Sequence, residues 1–296
     1  MTIIGNEGEL VKSKFIESFM KNIFLISATM SIVAIVLICI FIFAGGLPFI
    51  EEYGLLNFIL GTEWKPSDTP ASYGILPMIL GSLILTLGAI ILGVPVGVLT
   101  ATYLAKFSNK KLYKFLKPCI NLMAGIPSIV YGFFALTAIV PIIRALVGGT
   151  GMNIITGSIL LGIMILPTII SLSEAAIRAV PNSYYEGSIA LGASHERAIL
   201  SLVLPAARSG ILSSIILGIG RAIGETMAVV LVAGNQARMP AGLTKGVRTM
   251  TTNIVIEMAY AADAHREALI ATAVILLVFI LIINGTFLIL KRRSGI

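Results

Sequence analysis

The sequence predicts an all-α, polytopic membrane protein with about six transmembrane helices, and three observations carry that expectation. Of the 296 residues, 57% are hydrophobic and 12% charged, about half the charge with which a soluble domain coats its surface. The apolar residues gather into uncharged runs of the roughly 20 residues a helix needs to cross the hydrocarbon core. The basic residues flank these runs, as the positive-inside rule describes.

The first span is expected at 23–43, after a cytoplasmic segment 1–22. Its run is longer than the roughly 7–15 apolar residues of a cleaved signal peptide, so it reads as a retained helix. A polar stretch from Pro48 to Ser72 follows, with Glu51, Glu52, Glu63, Lys65 and Asp68; Trp64 and Tyr73 suit the membrane–water boundary. The second span, 74–104, exceeds what a bilayer requires, which implies tilt or a protruding end. Pro95, between Gly93 and Gly97, is a place for a kink. A lysine-rich loop from Lys106 to Lys117 leads to a third span at 118–142 and a fourth at 153–172. A cytoplasmic loop is expected at 173–208, then a fifth span at 209–234, a sixth at 269–290 and a tail at 291–296. Residues 235–266 show no legible pattern.

Loop charge orients the spans. With the amino end inside, fourteen basic residues fall on the inner side and six on the outer, with Arg221 inside the membrane. Both termini are therefore expected in the cytoplasm, which requires an even span count. The net charge of +7 thus belongs to membrane orientation. No basic patch interleaved with aromatics stands on a polar domain, so nucleic acid is excluded as a partner, and lipid is the expected surroundings. Cys39 and Cys119 have no metal-ligand spacing and read as small buried hydrophobes.

Chemistry is expected in two places. In the fifth span, Arg221 and Glu225 stand four residues apart in an otherwise apolar stretch, each costing about 2.5–3.5 kcal/mol at the centre of a membrane helix. On a continuous helix they share one face, about 6 Å apart along the axis, and can pair. Such a pair either locks the helix to its neighbours or lines a polar path. The path is favoured, with Arg221 attracting an anion and Glu225 holding or releasing it. The guanidinium fork also matches a tetrahedral oxyanion. Gly218, Gly220 and Gly224 mimic a dinucleotide fingerprint with one interval too long, and read better as sites of close helix approach.

The second place is the segment from Leu172 to Arg208, an amphipathic region expected to be broken at Pro181, Gly187 and Gly192. Ser194 beside His195 lacks a third partner and an oxyanion site, so it is no catalytic pair, and His195-Glu196 lacks metal spacing. A docking surface is the better expectation. The chain has no phosphate-cradling loop ending in Gly-Lys-Ser/Thr, so it catalyses no ATP hydrolysis; another chain would do so.

Glu186-Gly187-Ser188, then Gly192, then Leu202-Val203-Leu204-Pro205 resembles the EAA loop of ABC-importer permeases, with Gly187 and Ser188 in place of two alanines. Four stretches, Phe58-Ile59-Leu60-Gly61-Thr62-Glu63-Trp64-Lys65-Pro66, Tyr73-Gly74-Ile75-Leu76-Pro77, Gly125-Ile126-Pro127-Ser128-Ile129-Val130-Tyr131-Gly132 and Arg221-Ala222-Ile223-Gly224-Glu225-Thr226-Met227-Ala228, resemble the PstC-type permeases of phosphate importers. That resemblance implies a permease in the inner (cytoplasmic) membrane of a prokaryote, moving phosphate by alternating access. It implies Arg221, Glu225 and Thr226 on the substrate path. Glu186, Gly187, Ser188, Gly192, Leu204 and Pro205 would couple to the ATPase, with Gly192 allowing a sharp turn. The implied partners are a PstA-like second permease, a PstB-like ATPase dimer that binds the ATP and Mg, and a PstS-like external phosphate-binding protein. No cofactor is expected in this chain. A permease for molybdate or sulfate is the alternative, and a solitary ion-coupled transporter with Glu225 as proton carrier is a further one.

Overall fold

The computed structural model describes residues 7–293, with side chains between 16 and 286; the ends of the two expected cytoplasmic tails, 1–6 and 294–296, lie outside the described residues. Helices dominate, and among the described residues six are long and apolar enough to cross a membrane. Helix α1 runs from Glu7 to Tyr53 without a break, about 70 Å at 1.5 Å per residue, so the acidic pair Glu51 and Glu52 closes the helix instead of opening a loop. Its last turns pack on α13 (Asp263–Arg293), where Gly46 stands against Val274 and Ala271.

After the short α2 (Leu55–Leu60), strands β1 (Trp64–Lys65) and β2 (Ser72–Tyr73) pair antiparallel, Trp64 opposite Tyr73. Both rings are buried and stack edge-on. They belong to a buried core with Phe49, Phe58 and Met250.

Helix α3 (Leu76–Thr102) opens with Pro77 in its first turn, where a missing N–H costs nothing. It passes through Pro95 and ends in a π-helical turn, Tyr103–Phe107. It lies along α7 (Ile154–Arg178), the central helix of the bundle, whose start is capped by the Asn153 side chain accepting from Thr156 N at 3.0 Å. A Cβ on Gly93 would come within 2.8 Å of the Gly162 carbonyl, so the expected kink point is a contact point between two backbones.

The third expected span is in fact two helices. Helix α4 (Lys110–Gly125) starts at an Asn109 cap, and climbs beside α7: Lys117 reaches Glu174, and Ile120 packs with Ile170. It stops at Ile126-Pro127, because proline forces the preceding residue out of the helical region; Ile126 is extended (φ −69°, ψ 127°). Helix α5 (Ser128–Phe134), a π-helical turn (Ala135–Ile139) and α6 (Val140–Val147) complete the crossing.

Helix α7 continues to Arg178, six residues past the expected end, because its last polar residues are buried or paired. Glu174 accepts from Lys117 Nζ and Arg178 Nε, each at 2.7 Å. Arg178 also donates to the Leu104 carbonyl at 2.8 Å and stands 4.6 Å over the Tyr113 ring. Beyond it come α8 (Asn182–Ala190), α9 (His195–Ala198), a π-helical turn (Ile199–Val203) and α10 (Leu204–Gly224). Helix α10 packs antiparallel on α7, Gly218 against Ile169. Gly220 and Gly224 face open space, so of the three glycines only Gly218 marks a close approach.

The stretch 235–266, illegible in the sequence, contains α11's exit loop and α12 (Met250–Glu257), α11 itself being Met227–Val232. The loop's Lys245 and Leu243 carbonyls accept the first free N–H groups of α7, from Ile154 at 3.2 Å and Ile155 at 3.3 Å. Cys119 is exposed and Cys39 half-buried, against the expectation that both are buried.

Candidate functional site

The fifth span is broken where its charges are. Helix α10 ends at Gly224, Glu225 is extended (φ −69°, ψ 131°), and Thr226 precedes α11 without a side-chain capping bond. Arg221 and Glu225 therefore do not share a helix face and form no ion pair, which corrects the sequence expectation. Glu225 instead accepts from Ala228 N at 3.2 Å through Oε1, closing the first turn of α11, and Thr226 Oγ1 donates to the Gly224 carbonyl at 3.2 Å. The local signal was present: a glycine and then a threonine N-cap candidate inside an apolar run.

Arg221 is half-buried, and among the described residues it has no hydrogen-bond or ion-pair partner. Ala222 beside it belongs to one core with Leu161 and Ile165, about midway along α7. The flanking Gly220 and Gly224 have nothing within 4 Å of a Cβ position. The helix thus presents a bare glycine face on one side, with Arg221 next to it in the chain.

The two breaks lie side by side. Just beyond them, α5 and α11 touch so closely that a Cβ on Gly132 would sit 2.9 Å from Ala228 Cα. Tyr131 Oη donates to the Met123 carbonyl at 2.8 Å, a second bond to a carbonyl that also accepts from Ile126 N at 3.3 Å where α4 ends. Irregular backbone at membrane depth persists only where protein buries it or where it lines a wet cavity. Half-helices that start in mid-membrane are a recurring way to build an ion or anion site. Arg221, Glu225 and Thr226 thus stand on the two sides of one break, and Tyr131, which sequence expectation left out, packs in one core with Ala228 just beyond it. By contrast, a groove of about 430 Å³ between α3 and α7, lined by Leu87, Gly88, Ile91 and Ile155 among others, is apolar and offers an anion nothing.

The second expected site sits at the far end of α7 and α10. Helix α8 runs straight through Gly187 and ends at a left-handed Gly192 (φ +87°). Gly192 N donates to Ile189 O at 2.9 Å and Ala193 N to Ser188 O at 3.1 Å, the paired bonds of a Schellman motif. Glu186, Gly187 and Pro205 are exposed, Ser188 is buried and Leu204 is half-buried. Leu191, next to the turn, is 91% exposed. Ser194 caps α9 by accepting from Arg197 N at 3.3 Å. His195 Nδ1 pairs with Tyr185 Oη at 2.9 Å, and its ring lies edge-on to Phe107 at 4.9 Å. These contacts account for both residues structurally and tie the loop to the end of α3.

A third cluster had no sequence signature. Glu257, buried at the end of α12, accepts from Trp64 Nε1 at 2.8 Å, lies 2.8 Å from His265 Nε2, and pairs with Arg248. Arg248 also reaches Asn253 Oδ1 at 3.0 Å and the Asn235 carbonyl at 3.1 Å. It joins the β-hairpin, the loop after α11, α12 and α13. Beside it, burial pushes the Tyr260 phenol up from its ordinary value, and the Glu257 charge adds to that.

Residues 93–295 match the family described as "Binding-protein-dependent transport system inner membrane component". The chain is 36% identical, over 87% of its own length and 86% of the relative's, to the "Probable ABC transporter permease protein YqgH" of Bacillus subtilis. It is 30% identical, over 94% and 92%, to the "Phosphate transport system permease protein PstC" of Xylella fastidiosa. Its fold is similar to a chain of a bacterial alginate ABC transporter solved with a pentasaccharide-bound periplasmic protein (TM-score 0.66, 15% identity, 94% and 97% covered). It is also similar to a chain of the MetNI methionine ABC transporter (TM-score 0.55, 20% identity, 74% and 94% covered).

Proposed function

The chain belongs to the family of binding-protein-dependent transport system inner membrane components, and on that premise we propose that it is the permease subunit of an ATP-driven phosphate importer. The observation that carries the anion path is Arg221, which has no hydrogen-bond or ion-pair partner among the described residues and stands beside a break in its helix and a bare glycine face. A lone cation at that depth costs several kcal/mol unless a counter-charge visits it, and a tetrahedral oxyanion accepts two parallel bonds from its fork. Glu225 closes the turn that begins α11, and in this reading its negative charge prevents the anion from binding so tightly that it stays.

Nothing in this chain covers the Gly220 and Gly224 positions among the described residues, and in this reading a second, PstA-like permease supplies the other wall. The exposed α8–Gly192 turn, with Leu191 at its tip, docks on a PstB-like ATPase dimer that holds ATP and Mg²⁺. Motion of that turn passes through His195 to α3, and through the Arg178–Glu174–Lys117 cluster to α4, whose far end is the Pro127 break. Both termini lie in the cytoplasm. A PstS-like protein delivers phosphate to the outer face, and alternating access carries it through.

Reconstitution into liposomes tests this. The complex with its ATPase and binding protein should accumulate radiolabelled phosphate only with internal ATP, and excess sulfate or molybdate should not compete. Competition by either oxyanion reassigns the substrate; accumulation without ATP or the ATPase replaces the importer with a solitary transporter.

A further inference from the structure

We propose that Thr251 is a positioning residue for the Glu225–Thr226 break, and that α12 is the element through which the outer face of the protein holds the path in shape. This rests on the pathway reading above. Threonine hydroxyls in the long helices bond their own preceding turn, as Thr102 does to Val98 O and Thr272 to Ala268 O, each at 2.8 Å. Thr251 sits in the first turn of α12, where no preceding helical carbonyl exists. It reaches across the fold, donating to the Glu225 carbonyl at 3.1 Å, and is buried. An extended residue at membrane depth must have its carbonyl satisfied, and this hydroxyl does so for Glu225.

The hydroxyl is itself held. Its oxygen lies 2.9 Å from the hydroxyl of Thr249, the cap of α12, and Thr249 forms a reciprocal capping box with Thr252. Met250 N donates to Ser82 Oγ of α3 at 3.1 Å. At its other end α12 is fixed by Glu257 to Trp64, Arg248 and His265. The helix is therefore braced at both ends against the hairpin, α3 and α13, and among the described residues its hydrogen bond to the broken segment goes through Thr251. Without that bond, residues 225 and 226 are free to wind or swing. Glu225 then leaves the start of α11, and the glycine face beside Arg221 loses its shape.

Thr251→Val keeps the volume and removes the hydroxyl, whereas Thr251→Ser keeps the hydroxyl and removes the methyl. In the full reconstituted complex, with rates divided by assembled complex, Thr251→Val should lower the maximal rate of phosphate uptake about two- to ten-fold. The KM for loaded binding protein should not change, because docking is untouched. Thr251→Ser should restore the rate. A normal rate for Thr251→Val overturns the proposal, and so does a Thr251→Ser variant as slow as Thr251→Val, since packing alone would then explain the loss. If Thr251→Val does not assemble, Thr251→Ala carries the same comparison against Thr251→Ser. Arg221→Gln, run in parallel, separates the two levels: normal uptake there refutes the path itself, whereas a dead Arg221→Gln with a normal Thr251→Val refutes only the positioning role.

Discussion

Replacing Glu257 by glutamine should destabilise the chain by about 3 kcal/mol. The carboxylate holds Trp64, His265 and Arg248, and the side chains of Arg248 and Glu257 are 15% and 8% exposed. Glutamine has almost the same shape, and its carbonyl oxygen can still accept from Trp64, so the loss falls on the now unpaired Arg248. Removing one partner of a buried pair costs about 3–5 kcal/mol, and the residual exposure of Arg248 places this case at the lower end. At about 2–4 °C per kcal/mol, the unfolding midpoint falls by roughly 6–12 °C. The chain contains one tryptophan, and it is in this cluster, so thermal unfolding of the purified chain in detergent can be followed by Trp64 emission. Arg248→Met added to Glu257→Gln should recover part of the loss, because no charge is then left unpaired. A midpoint within about 1 °C of the unaltered chain, or strict additivity of the two substitutions, refutes the reasoning.

Gly192→Val forces a β-branched residue into the left-handed region (φ +87°), at a cost of about 1–2 kcal/mol or more; ATP hydrolysis by the assembled complex should continue while phosphate moved per ATP drops several-fold. Gly93→Val drives a side chain into the Gly162 carbonyl and Ile165 and should cost about 1–3 kcal/mol, whereas Gly220→Ala faces open space and should stay within about 0.5 kcal/mol; unfolding midpoints of the two chains in detergent compare them. Glu174→Gln unpairs Lys117 and Arg178, whose side chains are 25% and 45% exposed. The expected cost is a modest 1–2 kcal/mol or so, seen as faster amide exchange across 182–190.

The six-span count was legible because length and hydropathy alone determine it, and the charged residues of the fifth span were legible because their cost is large. What escaped was where a helix stops inside an apolar run. Pro127 lay in an apolar run and was absorbed into one span, although Ile126 before it had to leave the helical region. Gly224-Glu225-Thr226 was read as helix because a four-residue spacing is informative only if the helix is continuous. The Glu257 cluster draws on Trp64, Arg248 and His265, residues up to 201 positions apart in a chain of 296; local pattern carries no trace of such a meeting. Glu174 and Arg178 were assigned to a soluble loop on charge, whereas the pairing of Glu174 with both Lys117 and Arg178 lets them remain on α7. In the α8 turn, by contrast, the glycine expected to permit a sharp reversal has the left-handed conformation that makes it necessary.

The central claim is that an anion passes the Arg221 guanidinium at the breaks of α4–α5 and α10–α11. The most direct test is phosphate uptake by the reconstituted complex carrying Arg221→Gln, divided by the amount of complex assembled. Uptake should fall to background while the permeases, ATPase and binding protein still associate. Uptake at the unaltered rate would mean that Arg221 does not line the path.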